Sequence, residues 1–197
     1  DEIDGKLQAA ISEFSPEQAT ARAEQVAGLK ERLIARAANL RDQIAAPDEP
    51  LTPFDNQSIA LIDGWWSESE NEHAMLEETE DRRAGKILKI QATGNESCVA
   101  SWRRRVLLGA GSYMLQADVR TDGVVKPDDT EDGGVGVGVS GHPREQRLTG
   151  TTDFQPVRYT FEVHDDRDQI DLVLELRARS GSAMFRLDSL RLVRNAP

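Results

Sequence analysis

The chain is short of the residues that most often carry covalent or metal chemistry. It has one cysteine, Cys98, in 197 residues. That excludes an intrachain disulfide and leaves a thiolate metal centre without enough ligands. A lone cysteine suits the cytosol, but exported bacterial proteins also do without disulfides, so cysteine usage leaves the compartment open. The three histidines, His73, His142 and His164, are scattered. No HExxH, GxSxG or phosphate-loop pattern occurs, and the chain reads as a non-enzyme. Carboxylates are plentiful, but Glu68, Glu70, Glu72, Glu77, Glu78, Glu80 and Asp81 read as a solvated acidic segment. A glycosidase pair is defined by a spatial separation that a sequence does not display. Apolar runs are too short to span a membrane. No secretory leader is present; the first residue is Asp1, so the chain reads as a processed or excised piece with a neighbouring domain missing. Basic charge is also scarce: 24 Lys and Arg face 35 Asp and Glu, a net charge of -11. Nucleic acid and anionic membranes both call for a basic surface and are disfavoured as partners.

What is present falls into two rhythms. Over positions 1–46, Ile3, Leu7, Ala10, Ile11 and Phe14 recur at helical spacing. Ser15-Pro16-Glu17-Gln18 is a helix start, with serine as cap, proline in the first turn and Gln18 where a capping box places Glu or Gln. A stripe of Ala19, Ala23, Val26, Leu29, Leu33, Ala37, Leu40 and Ile44 follows, and Pro47 and Pro50 end it. This predicts a helical hairpin over 1–46 and a linker over 47–57. Two such helices cannot bury both apolar faces alone. They need the following domain, a preceding one, or a second chain, so a homodimer or intrachain docking through the helices is one expectation and a plain packing hairpin the other.

From about residue 58 the period becomes two. Strands are predicted over Lys86 to Ala92, Ser97 to Leu107, Tyr113 to Val119, the Gly/Val run, Val157 to Val163, Ile170 to Leu176 and Ala183 to Leu192. Gly94-Asn95, Asp122-Gly123, Gly141-His142-Pro143 and Ser180-Gly181 supply turns between them. Seven or eight such strands predict an antiparallel β-sandwich over 58–197, giving a mainly β chain preceded by a helical segment. The stretch Gly133-Gly134-Val135-Gly136-Val137-Gly138-Val139-Ser140-Gly141 stands out. Its valines share one face and its glycines the other. Glycine in a strand marks either a weak point or the close approach of another group to that backbone.

Within that region several motifs occur in order: Asp63-Gly64-Trp65, the strand Lys86-Ile87-Leu88-Lys89-Ile90, the turn and strand Gly109-Ala110-Gly111-Ser112-Tyr113-Met114-Leu115, then Phe154-Gln155-Pro156-Val157, and the closing Phe185-Arg186-Leu187-Asp188-Ser189-Leu190-Arg191-Leu192. Over roughly residues 58–194 this resembles the CenC-like carbohydrate-binding modules. The resemblance implies a galactose-binding-like jelly roll, a glycan or polysaccharide as partner, and no catalysis. It also implies a structural calcium ion as the only cofactor. Asp188 matches the family's closing aspartate, which commonly ligates that ion, and Asp63 lies in the opening segment, where Phe54-Asp55-Asn56 and Ile62-Asp63-Gly64 match the family's opening stretch in part. The alternative for Asp188 is a hydrogen-bonded structural residue, since calcium needs six or more oxygens.

In the family the outer face of one sheet can form a concave groove for a glycan chain. On that pattern Val135, Val137 and Val139 point inward beside Tyr113, Leu115, Phe161 and Leu174. Gly136 and its fellow glycines lower the groove floor. Gln116, Asp118, Arg120, Arg158, Glu162, His164, Glu175 and Arg177 would supply donors and acceptors for sugar hydroxyls. A solvated face laced with ion pairs is the plainer account of the same residues. Sugar binding also wants an aromatic platform. Trp65 and Trp66 are neighbours, so on a strand one points in and the other out, and the order does not say which. Trp102 sits in Ser101-Trp102-Arg103-Arg104-Arg105, a basic island in an acidic chain. It could stack on a sugar while Arg103 holds a uronate or sulfate, or be a buried Trp beside arginines that pair with the acidic surplus.

Residues Ala27 to Ile44 are similar to the helices that close CotH-like, spore-coat kinase-like domains. That resemblance implies the tail of a preceding domain in a larger bacterial surface or secreted protein, hence an extracellular or cell-surface setting. None of that family's nucleotide-binding motifs is present.

Overall fold

A computed structural model of the chain describes residues 24–37, 50–94, 96–128 and 132–195. The chain divides into two compact units, Asp1–Asp48 and Glu49–Pro197. In the first, helix α1 covers residues 24–37, and Leu29, Leu33 and Ile34 on it are exposed at 52%, 59% and 69%. The expected first helix and its Ser15 cap lie outside the described residues. Among these residues no helix is long and apolar enough to cross a membrane.

The second unit is an antiparallel β-sandwich. Its strands are β1 (Ile59–Leu61), β2 (Trp66–Ser69), β3 (Ala74–Asp81), β4 (Gly85–Ala92), β5 (Cys98–Leu108), β6 (Gly111–Val125), β7 (Gly134–Val139), β8 (Gly150–Val163), β9 (Asp168–Ala178), β10 (Ser180–Arg186) and β11 (Arg191–Arg194). Seven strands form one sheet in the order β1-β11-β6-β10-β4-β3, with β8 on β6; the other four run β2-β5-β9-β7. The period-two pattern places one apolar row of each strand between the sheets. From the larger sheet come Leu88, Ile90, Tyr113, Leu115, Val157 and Phe185; from the smaller come Cys98, Ala100, Trp102, Val137, Leu172 and Leu174, all buried. Cys98 has no exposed surface, and burial pushes its thiol pKa up.

The few aromatics are spent mostly on this core. Phe54 packs on Tyr113 and Tyr113 on Phe161, with ring centroids 5.9 and 5.7 Å apart. Tyr113 Oη donates to Gly109 O at 2.7 Å, so the phenol is paired at the end of its buried ring.

The structure departs from the sequence reading at three places. The segment expected to be solvated, from Glu68 to Asp81, forms β2 and β3. β3 is an edge strand in register with β4, and Glu77 and Glu78 pair with Lys89 and Lys86 at 3.1 and 3.6 Å. Charge on an edge strand blocks further pairing, which is why the segment looked unlike a strand. The closing run is two strands, because a 3-10 turn at Leu187–Ser189 moves the chain from β10 to β11. Part of the expected linker belongs to the sandwich: Thr52 N–H donates to Leu107 O at 2.8 Å and the Phe54 ring joins the aromatic row.

Candidate functional site

The outer face of the four-stranded sheet holds the candidate groove. Register defines its rows: Trp66 lies opposite Arg103 and Glu68 opposite Ser101, Ser101 opposite Glu175 and Arg103 opposite Val173, and Glu175 opposite Gly136. Cross-strand partners share a face, so Trp66, Glu68, Ser101, Arg103, Glu175 and Arg177 form one surface.

The glycine row of β7 lies at one side of this surface, and it is covered. Residues 140–149, which join β7 to β8, fold back over β7, and Val135 and Leu148 exchange backbone hydrogen bonds at 2.9 Å. A Cβ on Gly136 would stand 3.0 Å from Gln146 O, and one on Gly138 2.8 Å from Arg144 Cδ. The glycines are therefore bare because the chain's own strap lies on them. They do not form an open groove floor, as the sequence pattern had suggested. All six residues of β7 are buried.

Arg144 is the strap's main anchor. Its Nη1 donates to Val139 O at 2.7 Å, and its Nη2 lies 3.7 Å from Glu175 Oε2. Arg147 Nη1 donates to Glu175 Oε1 at 2.9 Å and Arg177 Nε to the same oxygen at 3.0 Å. Three guanidiniums thus surround one carboxylate whose residue is 4% exposed. Burial alone would raise the Glu175 pKa. The Arg177 hydrogen bond, the charges of Arg144 and Arg177 and the Arg147 hydrogen bond outweigh it and hold the carboxyl below its ordinary value. Burial lowers the Arg144 pKa, and the Glu175 charge opposes that shift. Glu175 hence stays ionised, suited to accepting hydrogen bonds and not to donating a proton.

Between the strap and β2 lies a groove of about 310 Å³ lined by Glu70, Arg103, Ser140, His142, Arg147 and Arg177 among others. Arg103 Nε is 3.1 Å from Glu68 Oε2 and donates to Ser101 Oγ at the same distance. Trp66 does not line this groove, but the register sets it opposite Arg103, which does, and it is the one described aromatic left exposed, at 38%. Trp65 is the inward member of the pair: it packs on the core and its Nε1 donates to Ile62 O at 2.9 Å. Among the described residues the Trp66 indole N–H has no partner, and it remains available to a ligand.

The structure divides the other predicted site residues. Gly136, Glu175, Arg177, Arg103 and Trp66 share the four-stranded sheet. Gln116, Asp118, Arg120, Arg158 and Glu162 lie on β6 and β8 of the other sheet, alternating with buried residues and hence on the opposite outer surface. There Arg158 Nε donates to Gln116 Oε1 at 3.3 Å. His164 is exposed in the turn after β8. Trp102 is no platform: its ring lies between the sheets at 8% exposure and its Nε1 donates to Lys89 O across the sandwich. Glu68, Ser101, Ser140, Arg144 and Arg147 were not singled out as site residues. Only the bare glycines hinted that a strap existed.

No metal donor set assembles where the calcium was expected. Asp188 is 79% exposed at its side chain, with Arg186 Nε at 4.0 Å, and Asp63 is exposed in the loop before β2. Asp55 accepts from Gln57 and Ile59 N–H at 2.8 Å and serves as a turn cap. Among the described residues no three His, Cys, Asp or Glu side chains converge. Calcium takes six to eight oxygens, and the side chains present do not fit it.

No protein-family model matches the chain, and no curated protein does. Among solved structures, the chain is similar to the carbohydrate-binding module TmCBM61, solved with β-1,4-galactotriose, at 16% identity over 66% of this chain and 88% of that one, with a TM-score of 0.42. A family 35 carbohydrate-binding module from Clostridium thermocellum matches at 15% identity over 64% and 90% of the two chains, TM-score 0.39. The CBM1 module of BiXyn10A matches at 14% identity over 76% and 100%, TM-score 0.42.

Proposed function

We propose that the sandwich is a non-catalytic carbohydrate-binding module that takes a glycan in the groove over the four-stranded sheet. It would hold a polysaccharide near an associated domain of a larger bacterial surface or secreted protein. The observation that carries the reading is the exposed Trp66 ring, set by register opposite Arg103, a residue that lines the groove. An apolar ring next to convergent donors and acceptors matches a sugar, which has an apolar C–H face and a rim of hydroxyls. The groove's arginines are already paired with Glu68 and Glu175. They can share further N–H groups with hydroxyls without drawing in a net negative charge.

A glycan microarray read with the wild type and Trp66→Ala tests this. The expected result is a discrete set of bound glycans, with affinity reduced about tenfold or more by Trp66→Ala and partly kept by Trp66→Phe. An array with no bound glycan, or binding indifferent to the loss of the ring, overturns it.

A further inference from the structure

The larger sheet carries its own concave site on the opposite side of the sandwich. Its centre is Arg120 on β6. The register between β6 and β8 shifts there: Val119 pairs with Gln155 and Thr121 with Thr152. Asp153 and Phe154 together therefore oppose the single residue Arg120, a β-bulge, and bulges re-aim side chains and gather at binding sites. Phe154 carries the Arg186 guanidinium over its ring, 4.7 Å from the centroid. The β3–β4 turn adds Arg82 and Arg83. These groups line a cleft of about 680 Å³, more than twice the volume of the groove lined by Arg103 and Glu175.

The charges in this cleft are left differently from those in the groove. Arg186 is paired, its Nη1 donating to Asp118 Oδ2 at 3.2 Å. Asp81 accepts the backbone N–H groups of Arg83 and Ala84 at 2.8 and 2.9 Å and so closes the turn. Among the described residues the guanidinium groups of Arg82, Arg83 and Arg120 make no hydrogen bond and no direct ion pair, although, after its two backbone hydrogen bonds, the charges of Arg120 and Arg83 help to lower the Asp81 pKa. The remaining carboxylates of the cleft are Glu80 and Asp153, both exposed. Four arginines line the cleft against Glu80, Asp81 and Asp153, so on a chain of net charge -11 the acidic surplus is absent here, and three of the guanidiniums have no direct carboxylate contact among the described residues. Guanidinium forks match the planar oxygens of carboxylate and sulfate.

We infer that this cleft is a second binding site, selective for an anionic saccharide bearing carboxylate or sulfate groups, with Arg82, Arg83 and Arg120 contacting the oxyanions. It is independent of the groove lined by Arg103 and Glu175. Whether the anionic groups are uronate carboxylates or sulfates is decided by the probe.

The test is titration calorimetry on the full chain at low salt. The probes are tetragalacturonate, its methyl ester, a heparin-derived tetrasaccharide, and sodium sulfate alone. One of the two anionic saccharides is expected to bind, tenfold or more weakly in Arg120→Gln and in the double variant Arg82→Gln/Arg83→Gln, and with unchanged affinity in Trp66→Ala. The double variant alters two exposed turn residues, so it reports on binding even if Arg120→Gln loosens the sheet. The inference is overturned if neither anionic saccharide binds, if the methyl ester binds as well as the acid, if both arginine variants bind like wild type, or if binding disappears with Trp66. Sulfate alone binding as tightly as the tetrasaccharides overturns the saccharide assignment.

Discussion

Replacing Glu175 with glutamine is expected to remove about 3–5 kcal/mol of folding stability, the range measured when one partner of a buried ion pair is deleted. The substitution keeps the shape of the side chain and removes its charge. Arg144 and Arg147, with 6% and 15% of their side chains exposed, would then face each other and Arg177 without a counter-ion. Relief comes only by lifting the strap off the glycines, which exposes the outer face of β7. The same cluster makes an acid-side prediction. Because the folded Glu175 pKa lies below its unfolded value, its stabilisation is complete above the unfolded pKa of about 4.3 and is lost as pH falls through the folded value. Urea melts of wild type and Glu175→Gln between pH 7 and pH 3 should therefore converge toward the acid end. A loss under about 1 kcal/mol at pH 7, or a gap that does not narrow in acid, would sink the account of the strap as charge-anchored.

Gly181→Ala should be comparably damaging for a different reason. Gly181 sits at the start of β10 with φ +99, and a Cβ there would lie 2.5 Å from both the carbonyl carbon and the oxygen of Gly123. Those are backbone atoms on β6, where the β10–β6 register shifts between Ser180 and Ser182. The substitution combines a conformation that costs an L residue about 1–2 kcal/mol with a contact that only a backbone shift can relieve, adding about 1–3 kcal/mol. Gly85→Ala is the control. Its φ is +71 but nothing lies within 4 Å of the added carbon, so only the conformational part remains, about 1 kcal/mol. If the two variants melt together, the close approach at Gly181 does not matter and the prediction fails.

The strands that face the core on one side were legible, because a buried row imposes a period of two that nothing else in the chain imitates. Tyr113, Leu115, Ala117 and Val119 are an example. β3 was hidden because only Ala74 and Leu76 pack on the core and the consecutive Glu77 and Glu78 break the apolar/polar alternation after them, which its place at the sheet edge permits. The face of each polar row was legible; the sheet it belonged to was not. Gln116 on β6 and Glu175 on β9 both alternate correctly, yet they look out from opposite sides, a consequence of strand order that no local pattern encodes. The glycine run announced that something lies on that backbone. That the occupant is the chain itself depends on Arg144 finding Glu175 across β7 and β9, a pairing among many arginines and many acids. The outward Trp66 needed the register with Arg103 to be told from Trp65.

The sealed position of Cys98 gives the molecule a built-in clock. A thiol-reactive dye cannot touch it in the closed sandwich, so the labelling rate in native buffer counts the occasions on which the two layers part. Wild type should label slowly and Gly181→Ala many times faster at equal temperature. One sulfur atom thereby reports on the opening of the layers with no foreign probe built in.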